Sequence, residues 1–199
     1  MNRKPYRESK LTEYHDDIIK LQEFMYVHNG YIRACVDHGS ICSQSAQILY
    51  GLYPRHRVLA TFICEHRLRY SEGTGISAKQ MFCSESISLV QPKTGKKRSL
   101  DNKFRVRYFR GFANWEHFTI FPSSYVALKA DIKANTPVEM KEWSLEFKDC
   151  THIFRHIWAT NQFHQKVSLE LIGDGLGHAH GDSVSSYLHP HVPGALNLY

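Results

Sequence analysis

The chain comprises 199 residues, of which 42% are hydrophobic, 22% charged and 13% aromatic, ordinary globular usage that excludes disorder, collagen-like repeats and coiled coils. It carries a net charge of +6, contains no run of about eighteen apolar residues that could span a membrane, and opens on a basic segment without the apolar stretch of a secretory signal. The expectation is a single cytoplasmic domain of mixed α+β class, mostly helical with a small antiparallel hairpin, and with no membrane partner.

In chain order, Ser9 or Thr12 is placed to cap a helix whose Tyr14, Ile18, Leu21 and Met25 recur at helical spacing, and Asn29-Gly30 is its expected end. A shorter helical stretch after Tyr31 breaks at Gly39. Ser43 opens a further helix through Ile48, Leu49 and Leu52, which Pro54 stops. Residues 55–70 then turn Val58, Leu59, Phe62 and Ile63 toward a core. Helices around the Gly39 turn also allow a helix-turn-helix reading, for which a glycine turn alone is thin support. Past Gly73-Thr74-Gly75, Ile87 and Leu89 mark a short strand, and Pro92-Lys93-Thr94-Gly95-Lys96 has turn chemistry. Phe104, Val106 and Tyr108 alternate with Arg105 and Arg107, which predicts a second strand with its arginines on the outer face. Helix resumes after Pro122 through Tyr125, Val126, Leu128 and Ile132, and a polar link at Asn135-Thr136-Pro137 leads to a C-terminal helical region. The five cysteines are scattered and form no Cys-x-x-Cys pair, so reduced thiols are expected rather than a disulfide framework or a zinc ribbon.

The charge is concentrated. Residues 93–110 carry eight cations against the single Asp101, a local net of +7 that exceeds the +6 of the whole chain. Such a focused patch (Lys93, Lys96, Lys97, Arg98, Lys103, Arg105, Arg107, Arg110) attracts polyanions, of which nucleic acid is the commonest. A solvated lysine-rich hairpin without a partner is the plainer alternative.

Residues 150–190 concentrate the chemistry. His152 and Arg155, three apart, share a helix face. His178 follows Gly175-Leu176-Gly177, where the missing side chains let backbone come close to a ligand. Tyr187 lies nine residues beyond His178. A guanidinium and two imidazoles around an anionic phosphate, with a phenol able to attack it, make a phosphoryl-transfer site that needs no metal where arginine neutralises the transition-state charge. Taken singly, each residue has a plainer account: hydrogen-bonded core histidines, a surface arginine, a packed tyrosine. His152 and His156, four apart, also suggest a zinc pair, but the His-Glu-x-x-His metalloprotease pattern needs a glutamate where Ile153 stands.

Together these residues resemble the second conserved box of the tyrosine recombinases, the phage-integrase family. The matching residues are His152-Ile153-Phe154-Arg155-His156, Ala159-Thr160, Leu176-Gly177-His178 and Tyr187, with 23 residues from Arg155 to His178 and nine more to Tyr187. Leu68-Arg69-Tyr70-Ser71-Glu72 is similar to the family's Leu-Arg-x-Ser-Glu box. Lys93, 24 residues after Arg69, falls in the hairpin turn where the family carries a lysine, with Lys96 and Lys97 as substitutes. The chain departs from the family in having His66-Arg67 where Thr-Gly is usual, and Thr74-Gly75-Ile76 offers a rival alignment that puts Ser77 in the arginine's place. The resemblance covers roughly residues 55–190, with residues 1–54 as N-terminal helices completing one catalytic domain and 191–199 as a short tail. It leaves no room for a separate N-terminal DNA-clamping domain, like the single-domain recombinases that invert fimbrial genes or a truncated integrase.

The resemblance implies a site-specific DNA recombinase of bacterial, phage or plasmid origin. Tyr187 would attack a phosphodiester to give a 3′-phosphotyrosyl enzyme and a free 5′-hydroxyl. Arg69 and Arg155 would hold the non-bridging oxygens, His152 would help accept the tyrosine proton, His178 would donate a hydrogen bond to the phosphate, and Lys93 would protonate the leaving oxygen. Lys96, Lys97, Arg98, Lys103, Arg105 and Arg107 would lie against double-stranded DNA. No cofactor or metal is implied; a homotetramer on paired sites is, with accessory DNA-bending proteins. Two alternatives are a DNA-binding regulator that kept the fold without cleavage, and a histidine-rich metalloenzyme.

Overall fold

The computed structural model describes residues 8–90, 95, 97–112, 124–140, 150–178 and 184–188, with the backbone alone described for 8–16 and 139. Lys93 and Lys96 lie outside the described residues. The chain is mostly helical with a two-stranded antiparallel sheet. In order, it forms α1 (Glu8–Asp37), α2 (Ser43–Gly51), α3 (Pro54–His66), α4 (Tyr70–Thr74), α5 (Ala78–Cys83), β1 (Ser86–Val90), β2 (Lys97–Asp101), α6 (Lys103–Tyr108), α7 (Tyr125–Asn135), α8 (His152–His164) and α9 (Leu169–Leu176). Short 3₁₀ turns span Val138–Met140 and Ser185–Tyr187. No helix among the described residues is long and apolar enough to cross a membrane.

Two helices form the centre. Every residue of α3 from Val58 to His66 is buried, as is every residue of α8 from Ile153 to Thr160, so both are enclosed on all sides. Pro54 sits at the start of α3, where its missing N–H costs nothing. The neighbouring Tyr53 N–H donates to Asp131 of α7 (2.9 Å), which also pairs with His56 Nδ1 (2.6 Å). α2 packs against α1, α3, α7 and α8. None of the five cysteines forms a disulfide.

The first helix runs on through Asn29-Gly30 to Asp37. Gly30 does not cap it; a Cβ there would meet the Tyr108 hydroxyl at 2.5 Å, so the glycine permits close packing in mid-helix. The stop is Gly39, at φ 70°, with Ser40 N–H returning to Cys35 O (2.9 Å). The buried stripe of α1 is Phe24, His28, Tyr31, Ile32 and Cys35, whereas Ile18 of the expected stripe is 39% exposed.

β1 forms as expected, but its partner is Lys97–Asp101, paired from Ser86↔Asp101 to Val90↔Lys97 with Ile87 and Leu100 opposed on the buried face. The segment expected as the second strand is instead helix α6. Phe104 and Tyr108 share a side in either geometry, so a five-residue alternation does not separate strand from one and a half helical turns. Arg105 decides the matter, because helical geometry turns it inward. It is completely buried, pairs with Glu65 Oε2 (2.9 Å), and lies 5.0–5.7 Å from the ring centroids of Tyr31, Phe62, Phe82 and Phe109. Tyr31 donates to the other Glu65 oxygen (2.5 Å). Arg105 is therefore part of the core and not of an outer, polyanion-facing surface.

Candidate active site

The site forms where two helix ends face each other. α3 ends in a Schellman turn, with Arg67 N–H on Cys64 O (3.2 Å) and Leu68 N–H on Ile63 O (2.9 Å). Its left-handed position, usually glycine, is Arg67 at φ 54°. A side chain there costs about 1 kcal/mol, and stacking of its guanidinium on the Trp158 ring (4.4 Å to the centroid) offsets part of this. α9 ends the same way, with Gly177 at φ 71° and His178 N–H on Gly173 O (2.9 Å). Gly175 is small of necessity, since a Cβ would press into the Trp158 indole.

Helix C-termini leave carbonyls unpaired and carry partial negative charge, which favours cations. Two arginines bridge these two ends. Arg155, completely buried on α8, donates Nη1 to Arg67 O and Nη2 to Leu176 O (2.9 Å). Arg98, from β2, donates Nη2 to His66 O and Gly175 O, both at 3.0 Å. Both therefore bridge the same two chain segments, one residue apart in each.

Around Arg155 the expected site residues converge. Its Nη2 lies 3.1 Å from His178 Nε2, and its guanidinium sits 5.3 Å from the Tyr187 ring centroid. The Tyr187 ring also faces His156 (4.6 Å), His178 (5.0 Å) and His152 (6.2 Å). Tyr187 belongs to the chain's own short turn, with its N–H on Val184 O (2.8 Å) and its carbonyl accepting from Thr160 Oγ1 (3.4 Å). Arg69, the N-cap of α4, pairs with Glu72 Oε1 (3.1 Å), while Glu72 Oε2 accepts the Arg69 backbone N–H (2.8 Å). Glu72 is buried and Arg69 partly exposed, so the carboxylate orients the arginine, whose charge acts on Arg155 and His178.

Burial, and next the Arg155 and Arg69 charges, push the His178 imidazole down to about 4. It is neutral at pH 7, and an arginine has only donors, so the nitrogen facing Arg155 is the acceptor and the proton resides on Nδ1. Burial likewise lowers Arg155, with Arg69 adding to the effect and Tyr187 opposing it. The Arg155 Nε–H is buried without a hydrogen-bond partner among the described residues.

Of the residues expected from sequence, His152, Arg155, His178 and Tyr187 come together, Arg69 acts on Arg155 and His178 through its charge, and Lys93 lies outside the described residues. Among the expected DNA contacts, Lys97, Lys103 and Arg107 are exposed, Lys96 lies outside the described residues, Arg105 is buried, and Arg98 turns into the site. Sequence reasoning did not assign site places to His156, Glu72 or Arg67. The signal for His156 was its position one residue after Arg155, on the face of α8 that also presents His152. Among the described residues, no group of three His, Cys, Asp or Glu side chains is arranged to hold a metal ion. Neither a scan against protein-family models nor a search of curated proteins finds a match for the chain.

Proposed function

We propose that the chain is a DNA strand-exchange enzyme that cuts and rejoins a phosphodiester through a 3′-phosphotyrosyl intermediate. The observation that carries this reading is the enclosure of Tyr187 by three imidazoles and the Arg155 guanidinium, with the Arg69 charge acting on the same group. The motif spacing and the exposed cations Lys97, Lys103 and Arg107 add support.

The Tyr187 oxygen forms a bond to phosphorus as the bond to the 5′-oxygen breaks. His152 takes up the phenol proton, and Lys93 returns one to the leaving oxygen. Arg69 and Arg155 stabilise the charge on the non-bridging oxygens, with the neutral His178 donating from Nδ1. The phosphotyrosyl bond preserves the energy of the broken linkage, so a 5′-hydroxyl reverses the step without ATP. Exposed Lys97, Lys103 and Arg107 contact the duplex backbone.

The test is a nicked suicide duplex, drawn from a library of DNA flanking the gene, incubated with wild type and Tyr187→Phe and resolved on a denaturing gel. A covalent protein–DNA band with wild type alone is expected, with binding retained by the variant. Binding without a band across the whole library would mean a non-cleaving DNA-binding protein.

A further inference from the structure

Arg98 belongs by sequence to the basic hairpin and by position to the site. On β2 its neighbours Lys97 and Ser99 are exposed, while Arg98 is half-buried and reaches the ends of both α3 and α9. One nitrogen, Nη2, meets both carbonyls. The other, Nη1, is buried and has no hydrogen-bond partner among the described residues. A charged donor left unmatched in the interior is costly, and groups of this kind are normally completed by a ligand or water. Arg67 Nε and Arg155 Nε are unmatched in the same way.

The surroundings point to the sign of that ligand. Besides burial, which is the largest effect, Arg67, Arg155 and Arg69 each depress the Arg98 guanidinium, together lowering it to about 10, and Glu72 opposes them. Three guanidinium charges thus act on Arg98, opposed there by Glu72, which is already paired to Arg69. An anion completes such a cluster, and planar N–H donors suit phosphate.

We infer that Arg98 is an anion-binding residue of this site, its Nη1–H donating to an oxygen of the phosphate held by Arg69 and Arg155 while Nη2 anchors β2 to the two helix ends. This rests on the phosphate-handling reading above. It makes the hairpin strand a wall of the phosphate pocket as well as a DNA contact.

The experiment uses the full chain with Arg98→Gln, which removes the charge and keeps a planar donor, Arg98→Lys, which keeps the charge and loses the second nitrogen, and Lys79→Ala, which removes an exposed cation on α5. Variants are matched to wild type by circular dichroism. Inorganic phosphate binding is measured by calorimetry at low salt, and suicide-substrate cleavage at saturating DNA. Wild type binds phosphate; Arg98→Gln weakens it about tenfold or more, as expected for a charge-assisted hydrogen bond, with cleavage falling in step. Arg98→Lys lies between, and Lys79→Ala matches wild type. Unchanged phosphate affinity in both Arg98 variants overturns the inference, as does unchanged cleavage by Arg98→Gln on DNA that wild type cuts. Phosphate binding that depends on Arg98, in a chain that cuts no DNA, retains the anion site and rejects strand exchange.

Discussion

Because its proton is on Nδ1, His178 can be imitated by one amide and not by the other. The side-chain nitrogen of asparagine superimposes on Nδ1, that of glutamine on Nε2. His178→Asn is therefore expected to keep measurable cleavage and His178→Gln to lose most of it, in single-turnover assays at saturating DNA. Equal loss in the two variants would mean that Nδ1 is not the donor. Arg155 is a harsher case, since it ties two helix ends together and, under the proposed chemistry, also stabilises charge. Arg155→Ala should slow cleavage by on the order of a hundredfold or more and lower the denaturation midpoint as well. The Glu65–Arg105 pair, by contrast, is buried in the core away from Tyr187 in the contacts it makes, and its expected effect is on stability. Glu65→Ala leaves a buried guanidinium without its carboxylate and should destabilise the chain by about 3–5 kcal/mol in urea titrations. Glu65→Ala combined with Arg105→Met should recover much of that loss.

At the scale of elements, the hairpin and the helix after it have to be separated. Arg107 is exposed on α6, so Arg107→Ala should reduce the salt dependence of DNA binding by about one unit of slope. Changing Arg105, on the same turn, should leave that slope unchanged in any variant that still folds. Helices bounded by strong signals were legible in the sequence: Ser43 and Pro54 bracket α2, and the apolar spacing of 125–132 lies on α7. The end of α1 was not, because Asn29-Gly30 has the chemistry of a helix stop while a glycine needed for close packing looks the same on the page. Nor was α6, where five residues are too few for periodicity to choose a geometry. In the candidate site, the spacing of His152, Arg155, His178 and Tyr187 could be read because three lie at helical offsets or helix ends. Arg98 could not, because its partners are main-chain carbonyls that leave no trace in residue type.

For the whole molecule, acidity is the informative variable. His28, His66 and His178 are all held below their ordinary value of 6.5, chiefly by burial. The unfolded chain then binds more protons than the folded one, so stability declines as the pH drops through about 6.5, the His178 contribution being lost down to about 4, where it charges in the folded chain. Chemical denaturation between pH 7.5 and 4.5 should show a falling midpoint over that window. A flat profile would mean these imidazoles are not buried neutral.

The short turn that carries Tyr187 also bears on which protomer supplies the nucleophile. Its backbone is tied to Thr160 of the same chain and its ring covers that chain's own Arg155. Under the proposed chemistry, a protomer that keeps this arrangement on DNA attacks with its own tyrosine. Arg155→Ala and Tyr187→Phe, mixed in equal amounts on one substrate, should therefore fail to complement, since neither holds an entire site. Restored cleavage in that mixture would mean the tyrosine is exchanged between protomers on DNA. With no exchange, a multi-subunit assembly would govern when each protomer cuts, and every individual cut would remain the work of a single polypeptide.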